Sequence, residues 1–126
     1  MNYLTLSDPE NTWGLDIEAN GLTPTKIWCC CLVNIKSGEA KEFFSGKNFK
    51  EWLKQHTSAT FVTHNGLKSD IPWLNELWKT DIKVDRVIAT FVMSQLYDPN
   101  LPKPEGMEGH SGTHSLKAWG IRVKDL

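Results

Sequence analysis

Asp16 and Glu18 stand two residues apart in TWGLDIEA, and a third carboxylate, Asp70, closes the later segment THNGLKSD. Side chains two apart on an extended strand project from the same face, so this pair repels unless positive charge lies between its members. A divalent cation answers that need. Oxygen donors suit Mg2+ or Mn2+ rather than zinc, and such ions take one or two protein carboxylates and leave the rest of their shell to water and substrate phosphate. Asp-x-Glu alone is also a chance spacing, and Asp70 alone reads equally well as a helix cap. What joins them is arrangement: a strand-borne Asp-x-Glu before Asn20-Gly21-Leu22, then His64-Asn65 ahead of an Asp that opens a helix.

The elements that must position these groups follow from the hydrophobic pattern. Thr12 to Glu18 alternates apolar and polar residues and is closed by the turn signal Asn20-Gly21, which predicts a strand. A long β-rich run from Lys26 to Ile35, the turn Lys36-Ser37-Gly38 and a shorter strand from Ala40 to Phe44 predict a three-stranded antiparallel meander. Phe49, Trp52 and Leu53 recur at helical spacing between Lys47 and His56. The apolar run Ala59 to Thr63 is expected as a strand buried on both faces. Asp70 to Trp78 predicts a helix, with Pro72 tolerated in its first turn. Val84 to Leu96 reads as a short strand running into an apolar helix, and Tyr97 to Thr113 as a Pro- and Gly-rich loop. This order predicts an α/β fold: a mixed five-stranded sheet, the meander followed by parallel strands, with flanking helices.

Composition narrows the class further. The chain has 126 residues, 40% hydrophobic and 23% charged, which is expected to form one soluble domain over residues 1–126. A net charge of -1 excludes a protein whose whole surface binds nucleic acid by counterion release, though not a local basic groove. No apolar run is long enough for a membrane span, and MNYLTLSDPENTW lacks the basic start and apolar stretch of a secretion signal, so no membrane partner and a cytoplasmic location are expected. Cys29, Cys30 and Cys31 are consecutive in an apolar strand and lack zinc-knuckle spacing; they read as buried thiols acting as small hydrophobes.

DIEANGL, residues 16 to 22, resembles the first motif of DEDD-type 3'-5' exonucleases, and HNGLKSD, residues 64 to 70, resembles the second. VIATFVMSQL, residues 87 to 96, and GTHSLKAWGIRV, residues 112 to 123, are similar to segments of the proofreading exonuclease domain of family A DNA polymerases from short-tailed phages. The resemblance implies a ribonuclease H-like fold and two-metal hydrolysis of 3'-terminal phosphodiesters of DNA, with Mg2+ or Mn2+ as cofactor and the 3' end of single-stranded or frayed DNA as partner. It implies Asp16, Glu18 and Asp70 as catalytic metal ligands, Leu22 as the apolar residue packing against the terminal bases, and Asn65, with His64 and His114, as substrate-binding residues. The fourth carboxylate of the family is absent. Asp125 is preceded by Ile121 and Gly120 where a Tyr or His would complete the motif, and His110 and His114 are followed at the required spacing by Ser115 and Trp119. The expectation is therefore an incomplete exonuclease domain without a polymerase domain, whose missing helix a polymerase chain could supply. The alternative is a non-catalytic exonuclease-like module that binds DNA or a polymerase partner. Ala89 and Ser69 stand where the family carries an Asp and an aromatic residue.

Blander readings accompany several residues. His110 and His114 have zinc-ligand spacing but no third ligand nearby. The six tryptophans are expected mostly in the core. Lys47, Lys50, Lys54 and Lys68 fit a phosphate-tracking groove, and a solvated helix face explains the first three as well.

Overall fold

A computed structural model describes residues 8–107 and 112–124; His110 and Asp125 lie outside them. Five strands form one sheet in the order β3-β2-β1-β4-β5: β1 Thr12–Ala19, β2 Ile27–Asn34, β3 Ala40–Phe43, β4 Thr60–Thr63 and β5 Val87–Ala89. The first three pair antiparallel, and β4 lies parallel to both β1 and β5. The mixed α/β sheet with flanking helices accords with a ribonuclease H-like fold.

Helix α1, Gly46–Gln55, starts at Ser45, whose hydroxyl accepts the Asn48 N–H at 3.3 Å. It joins β3 to β4, and α2, Asp70–Leu77, joins β4 to β5. Both connect parallel strands and both move the same way across the sheet. Right-handed crossovers must then lay both helices on one face, and the core is there. Trp13, Leu15, Cys30, Leu32 and Phe61 from the sheet pack against Phe49 and Trp52 of α1 and Ile71 and Leu74 of α2. Trp13 and Trp52 meet edge to face at 5.2 Å.

The other face carries Gly14, Asp16 and Glu18 of β1, with Cys31 directly opposite Asp16 and Cys29 opposite Glu18. It is more open: Val33 is 46% exposed, and Val62 of β4 is half-buried. Two expectations change in consequence. β4 is buried on the core face and only half-covered on the other, because both crossovers choose the same side. Of the three cysteines only Cys30 is a core residue, while Cys29 and Cys31 are partly exposed. All three are free thiols. Burial pushes the Cys30 thiol far above its ordinary range, and neighbouring Cys31 and Asp70 add to the shift.

Trp13 and Trp52 are buried, and Trp73 and Trp78 pack at the core's edge. Trp28 is the exception at 52% exposed. The register passes from Glu18↔Cys29 to Ala19↔Ile27, which leaves Trp28 as the extra residue of a bulge. Two helices follow β5: α3, Thr90–Tyr97, and α4, Leu116–Lys124. The second was not foreseen. Its opening was legible, however, since Ser115 accepts the Ala118 N–H at 3.1 Å as a cap does. A short span and a central glycine, Gly120, concealed the rest. No helix among the described residues is long and apolar enough to cross a membrane.

Candidate functional site

The ladder between β1 and β4 ends at Gly14↔Val62. Beyond it β1 continues with Asp16 and Glu18, while β4 stops at Thr63 and turns into the loop 64–69. Both carboxylates therefore stand at the carboxyl edge of the parallel strands, where α/β sheets build their sites. Both are exposed. The bulge at Glu18/Ala19 bends the strand end that carries them.

The loop 64–69 brings the third. The Asn65 carbonyl accepts the Lys68 and Ser69 N–H groups at 3.2 and 3.1 Å, and the Gly66 carbonyl accepts the Ile71 N–H at 2.9 Å. Gly66 is packed so closely on β4 that an added Cβ would lie 1.9 Å from Thr63 Oγ1. Only glycine lets the loop turn there. Ser69 occupies the cap position of α2 without a side-chain capping bond, and Asp70 is the first helical residue. Asp70 therefore does not hold the cap position: its carboxylate meets its own backbone N–H and the Ser69 hydroxyl at 3.1 Å, a hydroxyl that also reaches the Asn65 carbonyl at 3.0 Å.

Electrostatics ties the three carboxylates together. Asp70 is held above its ordinary value, first by burial and then by the negative charges of Asp16 and Glu18, with the Ser69 hydroxyl opposing. Glu18 and Asp16 on one element and Asp70 on another therefore share one field. Among the described residues no three His, Cys, Asp or Glu side chains close into a cage around a single point. Among the described residues the site is a set of mutually repelling carboxylates with no ion-pair partner: the ion pairs found there join Lys36 to Glu10, Lys41 to Glu39 and Lys83 to Asp81.

The remaining sequence-derived residues fall in three places. Leu22 is 99% exposed in the loop after β1, which Asn20 organises by accepting the Thr25 and Lys26 N–H groups and bonding Thr25 Oγ1. Asn65 is exposed on the Asp70 loop. His64 turns to α3: the Thr90 hydroxyl donates to the Thr63 carbonyl at 3.2 Å, so the His64 Nδ1–H donates to Thr90 Oγ1 at 2.9 Å. That assignment leaves His64 Nε2 an acceptor, buried and without a partner. His114 is also interior. Trp119 Nε1–H donates to Ser94 Oγ at 2.6 Å, and the Ser94 hydroxyl donates to His114 Nδ1 at 2.7 Å, so His114 locks α3 to α4 instead of lining an open path.

Sequence reasoning missed Thr90, Ser94 and Trp119. Thr90 and Ser94 are four apart on one face of α3, a polar stripe in an apolar helix that was the available signal. With His64 they line a cavity of about 470 Å³ whose walls are otherwise apolar, including Met93 and Leu116. Ala89 starts α3 with no side-chain cap.

Fold and site together define an α/β chain with an acidic edge on its central strand. No protein-family model matches the chain. It is similar to the DNA-directed DNA polymerase of Enterobacteria phage T3, 30% identical over an alignment covering 88% of this chain and 19% of that polymerase. It is also similar to the DNA-directed DNA polymerase of Escherichia phage T7, 28% identical with the same coverage. The chain thus corresponds to a region of phage DNA polymerases and spans about a fifth of their length.

Proposed function

We propose that this chain is the 3'-5' exonuclease region of a phage-type DNA polymerase, hydrolysing the terminal phosphodiester at the 3' end of single-stranded or frayed DNA. The observation that carries this reading is the gathering of Asp16, Glu18 and Asp70 at the carboxyl edge of the sheet, where Asp70 is held above its ordinary value first by burial and then by the charges of Asp16 and Glu18; perturbed carboxylates of this kind gather at catalytic sites. The donor set fits Mg2+ or Mn2+: every candidate ligand is a hard oxygen, and the negative charge is uncompensated. A divalent cation bound there supplies charge neutralisation and Lewis acidity at the scissile phosphate.

The chain's own groups do the rest. Asp16, Glu18 and Asp70 would hold the cation, and Ser69 bonds the Asp70 carboxylate. Leu22 offers an apolar platform to the terminal bases, and Asn65, on the loop bearing Asp70, contacts the strand. His64 and, from the α3–α4 junction, His114 shape the floor beside it. A water oxygen bonds to phosphorus as the bond to the 3' oxygen breaks, releasing a nucleoside monophosphate and leaving a new 3' hydroxyl on the shortened strand. In this reading a polymerase chain would supply the fourth carboxylate of the family.

A second reading, a module that keeps the fold and binds DNA or a polymerase partner without cleaving, is favoured by the uncapped Ala89 and by the missing fourth carboxylate. Nucleotide release from 5'-labelled single-stranded DNA in Mg2+ or Mn2+ separates them. Release abolished by Asp16→Ala establishes the exonuclease; absence of release that a downstream polymerase segment does not restore, with DNA binding retained, establishes the module.

A further inference from the structure

At the opposite end of the sheet from the carboxylates lies a second concave site. Lys50, Leu53, Lys54 and Thr57 follow one another at helical spacing along α1 and just past its end, and with Lys79, Asp81 and Arg86 they line a cavity of about 330 Å³. Thr57 precedes β4 and Arg86 precedes β5, so this pocket sits at the amino-terminal edge of the parallel strands. We propose that it binds a phosphate group through Lys50, Lys54, Lys79 and Arg86, independently of the proposed exonuclease chemistry.

Charge is the first argument. Four cations line the pocket against a single carboxylate, Asp81, and Asp81 is engaged by Lys83 at 2.9 Å. Neither Lys50, Lys54, Lys79 nor Arg86 takes part in an ion pair among the described residues. Asp85, beside Arg86, is the other acid whose field reaches it. In a chain of net charge -1, four of the 14 Lys and Arg residues gather at this one hollow.

Construction is the second. Arg86 is not a loose surface side chain: its Nε donates to the Ala59 carbonyl at 2.8 Å, its Nη2 to the His56 carbonyl at 2.9 Å, and its guanidinium lies 5.4 Å from the Phe61 ring centre. Those bonds leave Nη1 uncommitted and fix the fork, the geometry suited to a phosphate oxygen. Burial holds its proton affinity below the ordinary arginine range while leaving it charged. Thr80, another lining residue, is also braced, since Asn75 accepts from the Thr80 hydroxyl at 2.7 Å and the Ile82 N–H at 2.9 Å. Its neighbour Lys79 has a φ of +58°, at a position just past α2 where glycine is the usual occupant. A lysine stands where the backbone favours glycine, and it lines the pocket. Thr57 adds a hydroxyl that makes no bond to the described residues.

The chemistry read here is phosphate, whether on a nucleic-acid backbone or on a small phosphorylated molecule. The test is a backbone amide chemical-shift titration of the whole chain in EDTA at fixed ionic strength, with inorganic phosphate, a short single-stranded DNA, polyglutamate and chloride as separate probes. Saturable shifts at Lys54, Thr57 and Thr80 with phosphate, weakened about tenfold in a Lys50→Gln/Lys54→Gln double variant as two charge-assisted contacts are removed, support the proposal. Lys79→Gly provides the control for folding: it relieves a left-handed lysine, so the variant melts no lower than the parent while losing phosphate affinity. If DNA moves the same amides, the source is backbone phosphate; if only phosphate does, the source is a small molecule. Shifts that chloride reproduces, shifts given by polyglutamate but not phosphate, or unchanged affinity in both variants overturn it. EDTA keeps the readout separate from exonuclease activity, so the failure of either assignment leaves the other standing.

Discussion

At the scale of single residues the site is defined by what it costs the fold. Asp70 is held above the ordinary carboxylate value of 3.8 by burial and by Asp16 and Glu18, so its ionised form disfavours the folded state. Above its raised folded value that penalty is present in full; it declines as pH falls through that value and is gone below the unfolded one. Asp70→Asn is therefore expected to raise the melting temperature at neutral pH while removing nuclease activity. The difference in melting temperature from the parent should vanish on titration toward pH 3, and a gain that persists there contradicts the electrostatic account. Gly66 makes the converse case. A methyl placed 1.9 Å from Thr63 Oγ1 forces the loop off β4, and Gly66→Ala is expected to cost about 2–4 kcal/mol in chemical denaturation. Thr63→Ala in the same chain should recover part of that loss, because it removes the nearest clashing atom.

Secondary elements carry a different kind of dependence. Helix α3 is joined to α4 by the Trp119–Ser94–His114 bonds, to β4 by the Thr90–Thr63 bond and to the loop after β4 by the Thr90–His64 bond. Ser94 is 5% exposed, and its single hydroxyl serves both partners. Ser94→Ala leaves a buried indole N–H and an imidazole nitrogen unpaired, for an expected loss of about 1–3 kcal/mol. Amide exchange should localise that loss, with protection falling in α3 and α4 and unchanged in β1 and β2. Uniform loss across the sheet would mean that the two helices unfold only with the core. The same junction explains why His114, read from sequence as a substrate contact, lies inside: its motif neighbours Ser115 and Leu116 begin a helix, and the ring at its entrance packs toward Phe91 at 6.3 Å.

Across the whole molecule the two faces of the sheet behave unlike each other. One is sealed by α1 and α2, and the other exposes Cys29 and Cys31 beside Asp16 and Glu18. An alkylating reagent applied to the native chain should modify Cys29 first, Cys31 more slowly because burial and its neighbours hold its thiol above the ordinary value, and spare Cys30, which reacts only on unfolding because its thiol is fully buried and held well above its ordinary pKa. Rapid modification of Cys30 in the native chain, measured by peptide mass spectrometry, would mean that α2 opens readily from the sheet. The lysines grouped from sequence as a candidate phosphate-tracking groove likewise divide by position: Lys50 and Lys54 join Lys79 and Arg86 in the rear pocket, while Lys68 rides on the Asp70 loop.

Local physics determined much of this protein before any tertiary contact was known. Alternation in TWGLDIEA, the 3.6-residue spacing of Phe49, Trp52 and Leu53, and turn residues such as Asn20-Gly21 specify the meander, α1, β4 and α2 within a residue or two, because backbone sterics and side-chain periodicity act over a few neighbours. The pairing of Asp16 with Glu18 was legible for the same reason. What only the tertiary structure decided depends on residues far apart in the chain. The side of the sheet that both crossovers choose, the release of Asp70 from a capping role, the inward turn of His114 and the convergence of Lys79 and Arg86 on the end of α1 arise from long-range packing. No short window of sequence encodes them, since each follows from where separate elements come to rest against one another.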